Sequence, residues 1–352
     1  MKKFLWTMAF AFGVLISWQT IKITTQQRYV ASVNVSQFSG KSLNVITPDL
    51  FAEKNMLETF RNRYKGELKF VVEKNDGNFF NMKPGDAQAV IYPSYAFGAV
   101  GKNMNLKPID EAKVPNIAKL MDIHLKGMKD NYSQKGALLA FPVAYVPYAI
   151  FFNSDKIKPT TAGKEYFNKN LKVAFSDDSG AFLALLKFTG LPLNSASVAT
   201  LRKTFTKENS LFYDLDKLEE AVTRLIAEKP AVIVAPVYLK SLFERRIGSI
   251  EMILPDEGSY ATLYLVSALG ESEKELTWVF MNHLTDPLIQ KNYADIFTIP
   301  VTSKVALNTM SPVLYNALKM NDPEYFKKIM TLKDEKEYET AVKLFKSFRE
   351  GL

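Results

Sequence analysis

Phe141-Pro-Val-Ala-Tyr-Val-Pro-Tyr-Ala-Ile-Phe-Phe-Asn153 is an apolar run broken by two prolines. Proline offers no backbone N–H and clashes inside a helix, so this stretch reads as extended chain. It is longer than an ordinary strand, which suits a crossover between two bodies of structure. Upstream, short apolar runs alternate with helical spacing. Leu43-Asn-Val-Ile46 is stopped by Thr47-Pro48-Asp49, and Leu50, Phe51, Met56, Leu57, Phe60 and Tyr64 then fall on a helix stripe. Lys69-Phe-Val-Val-Glu73 precedes the turn Asn75-Asp76-Gly77, and Ala87-Gln-Ala-Val-Ile-Tyr92 ends at Pro93-Ser94. Downstream the theme repeats. Leu171-Lys-Val-Ala-Phe175 leads into Ser176-Asp177-Asp178-Ser179, which supplies N-cap chemistry for an apolar helix through Leu186. Ala231-Val-Ile-Val-Ala235 is another buried strand, Tyr260 to Leu269 a second extended run, and the tail from Pro323 is helical and rich in lysine.

Strand–helix alternation of this kind implies an α/β fold with mostly parallel sheets covered by helices. The two strand–helix blocks, about 43–140 and 171–235, read as two α/β lobes joined by extended crossovers. Residues 1–22 and 23–41 precede the body. Met1-Lys2-Lys3 followed by the apolar stretch Phe4–Trp18 reads as an export signal or as an uncleaved anchor in the inner membrane, since the nearest small-x-small triplet, Val30-Ala31-Ser32, lies well beyond it. Residues 23–41 read as a polar linker, and Gly40-Lys41-Ser42 lacks the upstream glycine of a phosphate loop because Val35 stands there. The expected location is the periplasm, soluble or tethered.

Composition removes much chemistry. The 352 residues contain no cysteine and two histidines, His124 and His283, which excludes thiolate metal sites, disulfides, lipoprotein acylation and multi-histidine centres. Lysine and arginine number 45 against 37 acidic residues, a balance of +8 spread along the chain with no basic module, so no nucleic acid is expected. No Gly-x-Ser-x-Gly or His-Glu-x-x-His occurs, no cofactor is expected, and the chain reads as a non-enzyme. His124 and His283 both read as structural, His283 at a helix C-terminus where a cation suits the dipole.

Several stretches together resemble type II periplasmic solute-binding proteins of ABC transporters, in particular the spermidine/putrescine-binding branch. Phe141–Asn153 resembles that branch's hinge-crossing strand, Ser176–Gly190 its Asp-Asp helix start, Leu254-Pro-Asp-Glu-Gly258 its Pro-x-Glu-Gly turn, and Asp286–Tyr293 with Ile299-Pro300 its late helix and proline. The resemblance implies a two-lobed, monomeric clamp, divided as 42–145 with 265–310 and 146–264 with 311–352, that closes on a small molecule and docks on an inner-membrane permease. It also marks departures. Thr262-Leu-Tyr264 stands at the branch's Trp-x-Asp, Ala181 near its helix glutamate, and Ala235-Pro236-Val237 at its Trp-Asn-Gly. The carboxylates that grip a polyamine are therefore expected to be missing, and a neutral or singly charged ligand with an apolar body is expected instead.

Ligands of open α/β sheets bind at strand C-terminal ends and helix N-termini. That rule selects Thr47, Asp49, Ser94, Tyr95, Asp177, Asp178 and Ser179, with Tyr145 and Tyr148 on the first crossover and Tyr238, Tyr260 and Tyr264 on later segments. Asp49, Asp177 and Asp178 have helix capping as an alternative role. The alternative to an importer's binding protein is a membrane-anchored sensor or accessory protein on the same clamp. Ferric iron on tyrosines is disfavoured by the absence of a Tyr-Tyr pair.

Overall fold

The computed structural model describes residues 35–167, 170–270 and 274–352. The expected export segment, and the linker as far as residue 34, lie outside the described residues. The body begins earlier than expected, because Phe38 in the short helical turn Val35–Phe38 is buried in the core. Among the described residues no helix is long and apolar enough to cross a membrane.

Nine strands set the architecture: β1 (Ser42–Pro48), β2 (Glu67–Glu73), β3 (Ala89–Pro93), β4 (Phe141–Asn153), β5 (Val173–Ser176), β6 (Ser210–Tyr213), β7 (Val232–Pro236), β8 (Ile250–Ile253) and β9 (Ala261–Leu269). Their order is β2-β1-β3-β9-β4-β7-β5-β6, with β8 on the free side of β4. β1 pairs in parallel with β2 and β3, and β5 in parallel with β6 and β7. Each lobe therefore has a parallel trio, and the antiparallel strands β4 and β9 join them.

β4 changes partner partway along. Phe141 to Pro147 pair with β9, and from Tyr148 onward the strand pairs with β7. Pro147 sits at that handover, where a residue without an N–H removes one ladder bond. Every residue of β4 except Asn153 is buried. Both faces are covered, so the strand reads as continuously apolar and not as alternating.

The helices that matter for the site are α1 (Lys54–Tyr64), α2 (Ser179–Thr189), α3 (Lys274–Leu284), α4 (Pro287–Phe297) and α5 (Glu335–Glu350). α1 buries Met56, Phe60 and Tyr64, one stripe at a spacing of four, and ends where Lys65 turns left-handed at φ 63°. α2 begins at Asp178, whose side chain accepts the Ala181 N–H, and stops at Gly190 with φ 70°. Such a cap is worth about 1 kcal/mol. Gly180 through Leu186 are all buried, so α2 is a core helix between sheet and α5. α5 is capped by Asp334 and buries Ala341, Leu344 and Phe348 on one face.

Two expectations are corrected. Asp49 does not cap α1. It opens a separate helical turn, Asp49–Phe51, and Glu53 occupies the N-cap without a side-chain bond. His283 is structural as expected but not the cation that suits a helix end: it is fully buried, edge-on to Phe60 and Tyr64 at centroid distances of 5.4 and 5.5 Å. Burial, with Arg63 adding in the same sense, lowers its pKa to about 3, so it is neutral near neutral pH. Near the hinge, Gln290 of α4 donates to the Val143 carbonyl of β4 and accepts from the N–H groups of Thr302 and Ser303. One buried amide thereby ties three segments together.

Candidate functional site

Where the C-terminal ends of both parallel trios meet the crossover strands, the chain encloses a cavity of about 400 Å³. Asp49 follows β1, Glu73 ends β2, and Asp76 and Tyr95 follow β2 and β3. From the other lobe come Asp177, Asp178 and Ser179 after β5, Asp214 and Asp216 after β6, and Tyr238 after β7. Tyr148, Tyr260, Thr262 and Tyr264 line it from the crossovers, and Tyr338, Val342 and Phe345 from α5. Nine of the twelve residues selected from the sequence thus line one cavity.

Three do not. Thr47 is fully buried and its hydroxyl donates to the Pro48 carbonyl. Ser94 is buried outside the cavity lining. Tyr145 lies on the opposite face of the crossover, because three residues along an extended strand reverse the direction of the side chain relative to Tyr148. Its hydroxyl meets Met320 Sδ at 2.9 Å, and it lines a second cavity of about 250 Å³ with His124, Tyr132 and Phe326. Burial lowers the pKa of His124 to about 4, leaving it neutral.

The cavity is acidic as well as aromatic: Ala181, Ala235–Val237 and Thr262–Tyr264 carry no carboxylate, but acids from other strand ends make the lining more acidic than the mainly hydroxyl and aromatic one expected. Asp49, Glu73, Asp76, Asp177, Asp178, Asp214 and Asp216 all line it, opposed by Lys74 on the wall. Asp49, Asp214 and Asp216 are exposed at the rim, whereas Asp76, Asp177 and Asp178 are partly buried. Asp76 Oδ2 accepts the Tyr95 hydroxyl at 2.8 Å. Asp178 Oδ1 accepts the Tyr148 hydroxyl at 2.8 Å as well as its capping bond, while its Oδ2 is buried without a partner. Burial pushes Asp76 up to about 6 against the lowering hydrogen bond from Tyr95, and the negative charge of Asp178 adds to the rise. A carboxylate from the second lobe therefore disfavours the charge of one from the first.

Tyrosines surround them. Tyr95 and Tyr338 stack at 5.0 Å and 16°, and Tyr148 and Tyr260 lie 5.8 Å apart. Burial raises the pKa of every tyrosine on this wall, so all stay protonated and neutral at physiological pH. Ring faces and ionised carboxylates both attract cations. Among the described residues no three His, Asp or Glu side chains group closely enough to hold a metal ion.

Glu73, Asp76, Asp214 and Asp216 escaped the sequence reading, although the strand-end rule that selected Asp49 applies equally to β2 and β6. Tyr338 carried no such signal, since it belongs to a helix distant in sequence from every cavity strand.

A family model for bacterial extracellular solute-binding proteins matches residues 89–328. No curated protein matches the chain. Among solved structures, it is similar to the spermidine/putrescine ABC transporter substrate-binding protein PotD from Streptococcus pneumoniae, with 14% identity, TM-score 0.71, and coverage of 88% of this chain and 99% of that one. A putative spermidine/putrescine ABC transporter from Listeria monocytogenes gives 13% identity and TM-score 0.69 over the same shares. The binding protein AgtB from A. tumefaciens, solved with agropinic acid, gives 14% identity and TM-score 0.63 over 88% and 98%. At these identities the likeness is one of fold.

Proposed function

The chain belongs to the bacterial extracellular solute-binding proteins, and we propose that it captures a small amine-bearing cation between its lobes and presents it to an ABC permease. The observation that carries this reading is that Asp76 and Asp178, from strand ends in the two lobes, line one tyrosine-walled cavity, with one oxygen of Asp178 buried and unpartnered. Binding is the expected activity, not turnover. A ligand that touches both lobes only in the closed form has differential affinity for it, and that difference drives closure.

In this reading Asp76 and Asp178 hold the ammonium group, and Tyr95, Tyr148, Tyr238, Tyr260, Tyr264 and Tyr338 wall its apolar body. Asp49, Asp177 and Ser179 border it. The lobe division at 145/146 and 264/265 is supported by the partner change of β4 after Pro147 and by the register shift between Tyr264 and Leu265. The body acts as a periplasmic monomer, released or tethered by residues 1–22.

The test is calorimetry on ligand-stripped protein with matched compounds: butylamine, butanol and butyrate. The amine binds and the other two do not. A ligand at 100 times its dissociation constant adds about 2.7 kcal/mol of stability, visible as a rise in melting temperature. Preference for butyrate or butanol over the amine refutes the proposal.

A further inference from the structure

Arg349 closes the last turn of α5, and its Nη2 lies 2.7 Å from Asp177 Oδ2. Among the described residues, Asp177 is the one cavity carboxylate of the seven with an ion-pair partner. We propose that Arg349 is a built-in cation of the cleft, which occupies Asp177 and sets the site for a ligand with one cationic head instead of two. The inference rests on the amine reading above.

The helix that carries Arg349 is held against the second lobe by aromatic packing. Phe345 and Phe348 of α5 pack against Phe182 and Phe212 at centroid distances of 5.6 to 6.2 Å. The guanidinium carbon of Arg349 lies 5.8 Å from the Phe212 ring, a second hold on the same group. Tyr338, Val342 and Phe345 line the cavity, and Arg349 continues their face at helical spacing. A cation in the last turn is also favoured by the helix dipole.

The carboxylates differ in what they can offer. Asp76 and Asp178 have tyrosine hydroxyls and no basic side chain. Asp177 is 19% exposed and Arg349 53%; the guanidinium takes Oδ2 and balances the carboxylate's charge, while Oδ1 is buried without a partner. Burial raises the pKa of Asp177, and the Arg349 charge opposes that rise. Asp49, Asp214 and Asp216 are exposed, and ion pairs at such positions contribute about 1 kcal/mol or less. A second ammonium therefore meets at Asp177 a carboxylate whose charge Arg349 already balances, or else turns to Glu73 beside Asn78 and to the exposed Asp49, Asp214 and Asp216. Its unpaired end gains little.

The experiment compares butylamine with 1,4-diaminobutane, which share a four-carbon chain and differ in one ammonium, on wild-type protein and on Arg349→Met, Arg349→Gln and Arg349→Lys. In the wild type the two amines bind within about threefold of each other. Arg349→Met and Arg349→Gln raise the preference for the diamine at least tenfold, equivalent to about 1.4 kcal/mol, and Arg349→Lys restores the wild-type ratio. A ratio unchanged in both neutral variants, or a wild type that already prefers the diamine tenfold, overturns the inference and leaves the amine reading standing. If neither amine binds any of the four proteins, the amine reading fails and this inference with it.

Discussion

Gly180→Ala is a one-methyl probe of the cavity wall. A Cβ built at Gly180 would lie 2.4 Å from the Tyr148 hydroxyl oxygen, 2.5 Å from Cζ and 2.7 Å from Cε2. Comfortable contact begins near 3.5 Å, so the ring must retreat by about 1 Å. It has little room, since Tyr148 is 8% exposed, packs against Tyr260 and bonds Asp178. Overpacking of this kind costs about 1–3 kcal/mol, and replacing a helical glycine by alanine returns up to about 1 kcal/mol. The net expectation is a loss of about 1–2 kcal/mol in urea unfolding, read as a lower midpoint at constant m-value. In a Tyr148→Ala background the ring is gone, and the same substitution becomes stabilising by about 0.5–1 kcal/mol. The double-mutant cycle thus shows a coupling of about 2 kcal/mol. Amine affinity falls in Gly180→Ala because the Tyr148–Asp178 bond is disturbed. If Gly180→Ala is as stable as the wild type with Tyr148 present, the ring does not stand against α2, and this wall of the cavity is wrongly built.

Because Asp76 titrates near 6 in the ligand-free protein, cation affinity falls as pH drops through 6, by about tenfold at pH 5 relative to pH 8, and Asp76→Asn removes that dependence; calorimetry across pH measures it, and a flat wild-type profile contradicts it. His283 gives the stability curve the same direction for a different reason. Its folded pKa is lowered to about 3 from the 6.5 of the free side chain, so below 6.5 the unfolded chain binds the extra proton and stability declines on acidification, by about 2 kcal/mol at pH 5. His283→Phe keeps the aromatic packing and flattens that acid limb in denaturant melts; an unchanged limb refutes the assignment. Tyr145→Ala lowers stability by about 3–5 kcal/mol while the folded protein keeps its amine affinity; a parallel loss of affinity would return Tyr145 to the cleft.

The strands were legible because each is a short apolar run stopped by proline or a polar turn. β4 was legible as a crossover because two prolines made a helix untenable over its whole length. The Asp178 cap was also readable, and the structure gives that side chain both the cap and a place on the cavity wall. Burial that depends on distant partners was not readable. His283 looked like a helix-end cation until α1 brought Phe60 and Tyr64 against it. The acid content of the cavity was not readable at the positions where the resemblance predicts carboxylates, because Asp76 and Asp214 arrive from strand ends of their own. Tyr338 reaches the site only because α5 is held against α2 by aromatic packing, which no local pattern announces.

In the first lobe's sheet, β9 lies between β3 and β4, although it follows both by the whole of the intervening second-lobe strands. β5, β6 and β7 are near one another in sequence and can pair as soon as they exist. The first sheet cannot close in that order: β3 and β4 have no shared neighbour until residues 261–269 arrive. Joining distant segments carries a loop-closure cost that slows folding. A strand waiting for its neighbour also presents an open edge on which another chain can pair. The period before β9 inserts is therefore when a growing or refolding chain is most exposed to aggregation, and the central position of a late strand makes folding of the first lobe conditional on completion of the second.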